Sequence, residues 1–186
     1  MRHSRQRIGF VTGAFAGMLL ALPATGRAGS NEQASAQFVK EAAAGGMAEV
    51  KMGNLAQQQA ASPAVKTFGR RMVDDHSKAN DELKGLAAKK NITLPADVDA
   101  KEKATYDRLS KLQGTEFDRA YVDEMLKDHR TDVAEFRKEA QTGTDPDVKS
   151  FATKTLPTLE QHLSAAESLA STGTRTERSN TQPATR

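Results

Sequence analysis

The chain has 186 residues, no cysteine, no tryptophan, and 27 Lys+Arg against 24 Asp+Glu, a net charge of +3. Thiol chemistry and disulfides are therefore excluded, and any metal site must use nitrogen, oxygen or thioether ligands. The first 28 residues hold four arginines and no acid, leaving 23 basic against 24 acidic residues in the remainder, so no basic patch for nucleic acid is expected.

Residues 1–28 read as a signal peptide. Arg2, Arg5 and Arg7 form a basic start, and Ile8 to Leu22 is an apolar run too short for a comfortable membrane span. Gly26-Arg27-Ala28 leaves small residues at the usual cleavage positions. This predicts export to the periplasm and no stable transmembrane anchor after cleavage. An uncleaved leader holding the protein at the inner membrane is the alternative. Residues 29–170 then form one domain of about 140 residues.

Four long helices are expected. The first runs from about Asn31 to Ala60 and contains Gly45-Gly46, where each glycine costs about 1 kcal/mol of helix propensity. Close approach of another helix would compensate. The second starts at Ser62-Pro63, an N-cap followed by proline at the first helical position, and ends near Lys90-Asn91. After a break with Pro95, a shorter helix covers about Asp99 to Leu112. Thr115-Glu116-Phe117-Asp118 reads as a capping box that starts the third long helix, which reaches Gln141. Asp145-Pro146 caps the fourth, which runs to about Ala170 and should kink at Pro157. The Thr-, Ser- and Arg-rich tail, 171–186, carries no apolar pattern and reads as disordered.

The turns at 61–62 and 143–145 make two antiparallel hairpins. The 24 residues from Asn91 to Gly114 include their own helix and can cross the length of a bundle. Two hairpins joined by a long crossover is the ferritin-like topology, here with an extra short crossover helix. A plain up-down bundle is the alternative.

One polar residue lies on the apolar stripe of each long helix: Glu49, His76, His129 and His162. Glu49 falls among Phe38, Ala42, Gly45, Met52 and Ala56; His76 falls among Phe68, Met72, Ala79 and Leu83. His129 follows Val122 and Met125, and His162 follows Leu156 and Leu159. At about 1.5 Å per residue, all four fall in the middle third of the bundle. A single histidine on such a stripe is ordinarily a hydrogen-bonded core residue. Four ionisable groups facing one core require a mutual partner, because burying each alone is costly. Three imidazoles and a carboxylate suit a divalent transition metal such as zinc, iron, manganese or copper. Met72 and Met125, one turn before two of the histidines, would favour copper if their sulfurs took part; core filler is the ordinary role of methionine. Asp75 and Asp128 precede histidines and are candidates to orient an imidazole, but adjacent helix residues point different ways, which favours solvated charges. Tyr121 either lines the site or simply packs there.

These residues resemble a bacterial family known as domain of unknown function 4142, placed in the ferritin-like superfamily. The resemblance rests on Phe38 with Gly45-Gly46-Met47-Ala48-Glu49, on Val65-Lys66-Thr67-Phe68 with Met72-Val73-Asp74-Asp75-His76, on Phe117-Asp118-Arg119-Ala120-Tyr121 with Met125 and Asp128-His129, and on Leu156-Pro157-Thr158-Leu159 with His162. It implies an exported four-helix domain and supplies no reaction. A ferritin di-iron site needs Glu-x-x-His on two helices. Here Val73, Leu126 and Leu159 stand three residues before the histidines, so neither a ferroxidase nor an iron store is expected. The expectation is an exported bundle, monomeric or homodimeric, that binds a metal ion or small ligand in its core. A non-catalytic structural or interaction module with hydrogen-bonded core histidines is the alternative, and an enzyme using the bound metal is third.

Overall fold

The computed structural model describes residues 25–180. Within them the chain is helical throughout: α1 Thr25–Gln59, α2 Pro63–Lys89, α3 Ala100–Leu109, α4 Gly114–Thr142 and α5 Pro146–Asn180. No strand occurs among the described residues, only an isolated bridge between Ala60 and Gly114. All but the last four residues of the expected leader lie outside the described residues. No described helix is long and apolar enough to cross a membrane.

α1 and α2 pack as an antiparallel pair. They approach closely at Gly53 and Gly69, where a Cβ on Gly53 would meet the Gly69 carbonyl oxygen at 2.6 Å. Gly46 approaches Asn80 in the same way, with 2.5 Å from a built Cβ to the Asn80 Oδ1. Gly46 and Gly53 therefore serve helix contact, whereas Gly45, the other glycine of the expected pair, faces open space. α4 and α5 form the second antiparallel pair. The pairs meet along α2 and α5, through Arg71 with Gln161 and Lys154 with Glu82, and along α1 and α4, through Phe38 with Phe136. Each long helix is thus antiparallel to both neighbours, in the ring order α1, α2, α5, α4. It follows that α2 and α4 run parallel, so the segment between them returns along the bundle. α3 in that segment lies against α1, with Lys51 paired to Asp97 and Gln59 Nε2 donating to the Ser110 carbonyl.

Two helix starts differ from expectation. The Thr115–Asp118 capping box does not form: α4 begins at Gly114, with φ of +63°, and Gln113 caps it without a side-chain bond. Asp118 instead accepts from the backbone N–H groups of Ala61 and Ser62, at 3.1 and 2.9 Å, and so caps the α1–α2 turn. Ser62 makes no side-chain cap of its own. Asp145 does cap α5, accepting from Asp147 and Val148. α5 continues through Pro157 and on to Asn180, over ten residues read from sequence as disordered. Nothing between Ala170 and Asn180 forbids helix, since the next proline is Pro183.

The apolar core is split in two. One part gathers Met52, Leu55, Phe68, Met72, Phe117, Tyr121 and Met125. The other gathers Phe38, Val39, Leu83, Val133, Phe136, Phe151 and Leu159. Glu49, His76, His129 and His162 lie at or next to the boundary between the two parts.

Candidate metal centre

Glu49, His76, His129 and His162 are 3%, 6%, 0% and 0% exposed, so all four side chains are buried between the two cores. The three imidazole ring centres form a near-equilateral triangle with sides of 5.2, 5.3 and 5.7 Å. One ring nitrogen from each lies within 4.8 Å of the other two, so the three histidines could hold a metal ion. Phe68 covers the triangle from the first core, its ring centre 6.5 Å from those of His129 and His162.

Hydrogen-bond partners outside the triangle decide where the protons sit. His129 Nδ1 lies 3.0 Å from the Met125 carbonyl oxygen, one turn back on its own helix. A carbonyl only accepts, so Nδ1 carries the hydrogen and Nε2 keeps its lone pair. His76 Nδ1 donates to Glu49 Oε2 at 2.9 Å, so Nε2 is the His76 nitrogen left for a further partner. His162 Nε2 donates to Asp75 Oδ2 at 2.8 Å, which leaves Nδ1 as a lone pair. His129 Nε2 and His162 Nδ1 are only 3.2 Å apart. In the neutral tautomers set by Met125 and Asp75, these two lone pairs face each other and repel. A cation between them removes the conflict. His76 Nε2 is buried with no hydrogen-bond partner.

The charge states agree with this assignment. Burial lowers the pKa of His129, outweighing the pull of Glu49. Burial likewise brings His162 down to about 4, against the upward effect of its bond to Asp75. Both imidazoles are therefore neutral at pH 7. Burial works to raise Glu49, but the neighbouring His76 and His129 and the His76 hydrogen bond outweigh it and hold the carboxyl at about 2. For Asp75 too, the bonds from His162 and Arg71 outweigh burial, and the pKa is lowered.

The residues expected at the site are distributed as follows. His76, His129 and His162 converge. Glu49 joins the same layer on the outer nitrogen of His76, with Oε1 3.3 Å from His129 Nδ1. Asp75, read from sequence as a solvated charge, instead bonds an imidazole, but on α5 rather than the His76 beside it. Met125 contributes its carbonyl; its side chain and that of Met72 are fully buried in the first core. Tyr121 is also buried there, stacked on Phe117 at 5.5 Å, and its hydroxyl has no hydrogen-bond partner. Asp128 is half-buried, with no imidazole bond; burial, reinforced by Glu124 and Glu102, pushes its carboxyl up to about 7.

Asp132 was not anticipated. It lines a small cavity with Glu49 and His76, and burial together with Glu49 and Asp128 raises its pKa well above the carboxylate range. The signal was present in its spacing, since Asp132 lies three residues after His129 and shares that side of α4.

The chain belongs to the family described as a domain of unknown function (DUF4142), matching it over residues 20–169. No curated protein and no solved structure matches the chain.

Proposed function

We propose that this is an exported ferritin-like bundle that binds one divalent transition metal ion through His76, His129 and His162. The observation that carries this reading is the 3.2 Å contact between His129 Nε2 and His162 Nδ1, whose other ring nitrogens are engaged by the Met125 carbonyl and Asp75, with a third buried, unpartnered nitrogen on His76. Metal-bound histidines typically donate their other N–H to a carboxylate or a backbone carbonyl. Here the three acceptors would be Glu49, Met125 and Asp75.

The dimensions support it. An imidazole bonded at about 2.0–2.1 Å puts its ring centre about 3.2 Å from the metal, so three such rings stand about 5.2 Å apart at tetrahedral angles and about 5.5 Å apart in a plane. The observed sides of 5.2, 5.3 and 5.7 Å are close to those spans. Glu49 orients His76 in this reading and supplies negative charge to the cation, in place of the direct ligation expected from sequence. With nitrogen donors only, zinc, copper and iron suit the site better than magnesium or calcium.

The ferritin-like assignment is supported by the ring order α1, α2, α5, α4 and by a crossover that returns along the bundle. Export is supported by the basic, apolar and small-residue sequence of the leader. A single proton shared between His129 and His162 is the competing account of their contact. Metal analysis of protein expressed with its leader decides between them. About one ion per chain, lost in His129→Ala, is expected. Stability indifferent to added zinc, copper, iron and manganese would overturn the metal reading and leave the shared proton.

A further inference from the structure

Next to the histidine layer lies a cavity of about 30 Å³, enough for a water molecule or a small ion. Its lining repeats one geometry around the bundle. Gly45 and Gly46 lie one turn from Glu49, Asn80 one turn from His76, Asp132 one turn from His129 and Leu159 one turn from His162. The cavity thus occupies the adjoining layer of the core. Gly45 leaves open space beside it, whereas the space at Gly46 is taken by Asn80. A Cβ built on Gly45 meets nothing within 4 Å, and Gly45 is only half-buried, so the space reaches the surface there.

Two of the lining residues hold buried polar atoms without hydrogen-bond partners, Glu49 Oε1 and His76 Nε2. Buried polar atoms are normally satisfied. A metal satisfies His76 Nε2 but leaves Glu49 Oε1 in need of a donor. A metal with three protein nitrogens also keeps a fourth position, typically held by water in sites that exchange ligands.

We propose that the metal's fourth position opens into this cavity, is filled by water that donates to Glu49 Oε1, and exchanges with small anions that enter past Gly45. The inference rests on the three-histidine metal reading above. It makes the site an open one that takes ligands of two or three atoms. Larger organic substrates are excluded by the size of the cavity. Gly45 is then a specificity-determining position, since any larger side chain there closes the opening.

The test uses the full chain loaded with cobalt(II) and titrated with azide, read by the visible absorption of cobalt. In the wild type, azide shifts the cobalt bands saturably. In Gly45→Leu, cobalt binds with unchanged affinity, and the azide response weakens at least tenfold. Ala42→Leu fills the same cavity from a different position and serves if Gly45→Leu misfolds. Gly85→Leu, on an exposed position remote from the cavity, keeps the wild-type response. Failure to bind cobalt overturns the metal reading itself, and is seen before azide is added. Cobalt bound without an azide response, or a response unchanged in the filled variants, overturns only the open fourth position.

Discussion

Asp75 offers the sharpest test of the tautomer scheme. Its carboxylate accepts from His162 Nε2 at 2.8 Å and thereby keeps the Nδ1 lone pair turned toward His129. Removing such a partner from a metal-bound histidine typically costs about 10–100-fold in affinity. Asp75→Asn retains an oxygen that can accept, so a loss near tenfold is expected. Asp75→Leu removes the acceptor, and the loss should approach a hundredfold, or about 3 kcal/mol of binding. The metal-free protein should respond differently. Without Asp75, His162 can place its hydrogen on Nδ1 and donate to His129 Nε2, which relieves the repulsion between the lone pairs. The Arg71–Asp75 ion pair is more than a third exposed on both sides, and its loss is worth under about 1 kcal/mol. Metal-free stability should therefore fall by less than about 1 kcal/mol, or rise, while zinc affinity drops. Competition for zinc with a chromogenic chelator measures the affinity, urea unfolding in chelator measures the stability, and Asp74→Asn on the exposed side of α2 is the control. A folded Asp75→Leu variant that holds zinc within twofold of wild type would refute the scheme.

Three further outcomes follow from the same geometry. His162 titrates near 4 in the fold against 6.5 as its ordinary value, so between those pH values the unfolded chain binds the extra proton. The stability of metal-free protein should rise with pH across this window by about 3 kcal/mol, be complete above 6.5 and be lost toward 4, with depressed Glu49 adding to the loss below 4.5; urea midpoints that stay flat from pH 4 to 6.5 would contradict it. Asp128 has the opposite sign, with a carboxyl raised from 3.8 to about 7, so its ionisation weakens the fold as pH rises. Asp128→Asn should stabilise by about 1–2 kcal/mol above pH 7, after allowance for partial exposure, and the gain should vanish near pH 4; equal melting of the two proteins at pH 8 would refute this. Gly53→Ala forces a methyl to 2.6 Å from the Gly69 carbonyl and should destabilise by about 1–3 kcal/mol, whereas Gly85→Ala meets nothing and should stabilise by about 0.5–1 kcal/mol. Thermal melts of the two variants check the contrast, and a Gly53→Ala protein as stable as wild type would mean that the α1–α2 crossing is looser than described.

The histidine layer was legible in the sequence because it depends on two local quantities, helix phase and distance from a turn. His76, His129 and His162 each interrupt an apolar stripe at regular spacing, and the turns at 61–62 and 143–145 set their heights. The roles around them depend on which helices are neighbours, which phase does not reveal. Asp75 stands beside His76 in sequence, and adjacent residues on a helix point apart. That divergence is what aims Asp75 across the bundle at His162 on α5. Asp118 shows the same limit. Its spacing after Thr115 matched a local cap, but the N–H groups it reaches are those of Ala61 and Ser62, more than fifty residues away. For Glu49, phase put the side chain in the correct layer, while the rotamer decides whether it binds an ion or backs an imidazole. Its place on His76 Nδ1 sets it behind that imidazole, so the proposed metal would take three nitrogens and no protein oxygen. With that donor set, the proposed fourth position beside the cavity at Gly45 is where an incoming ligand would bind.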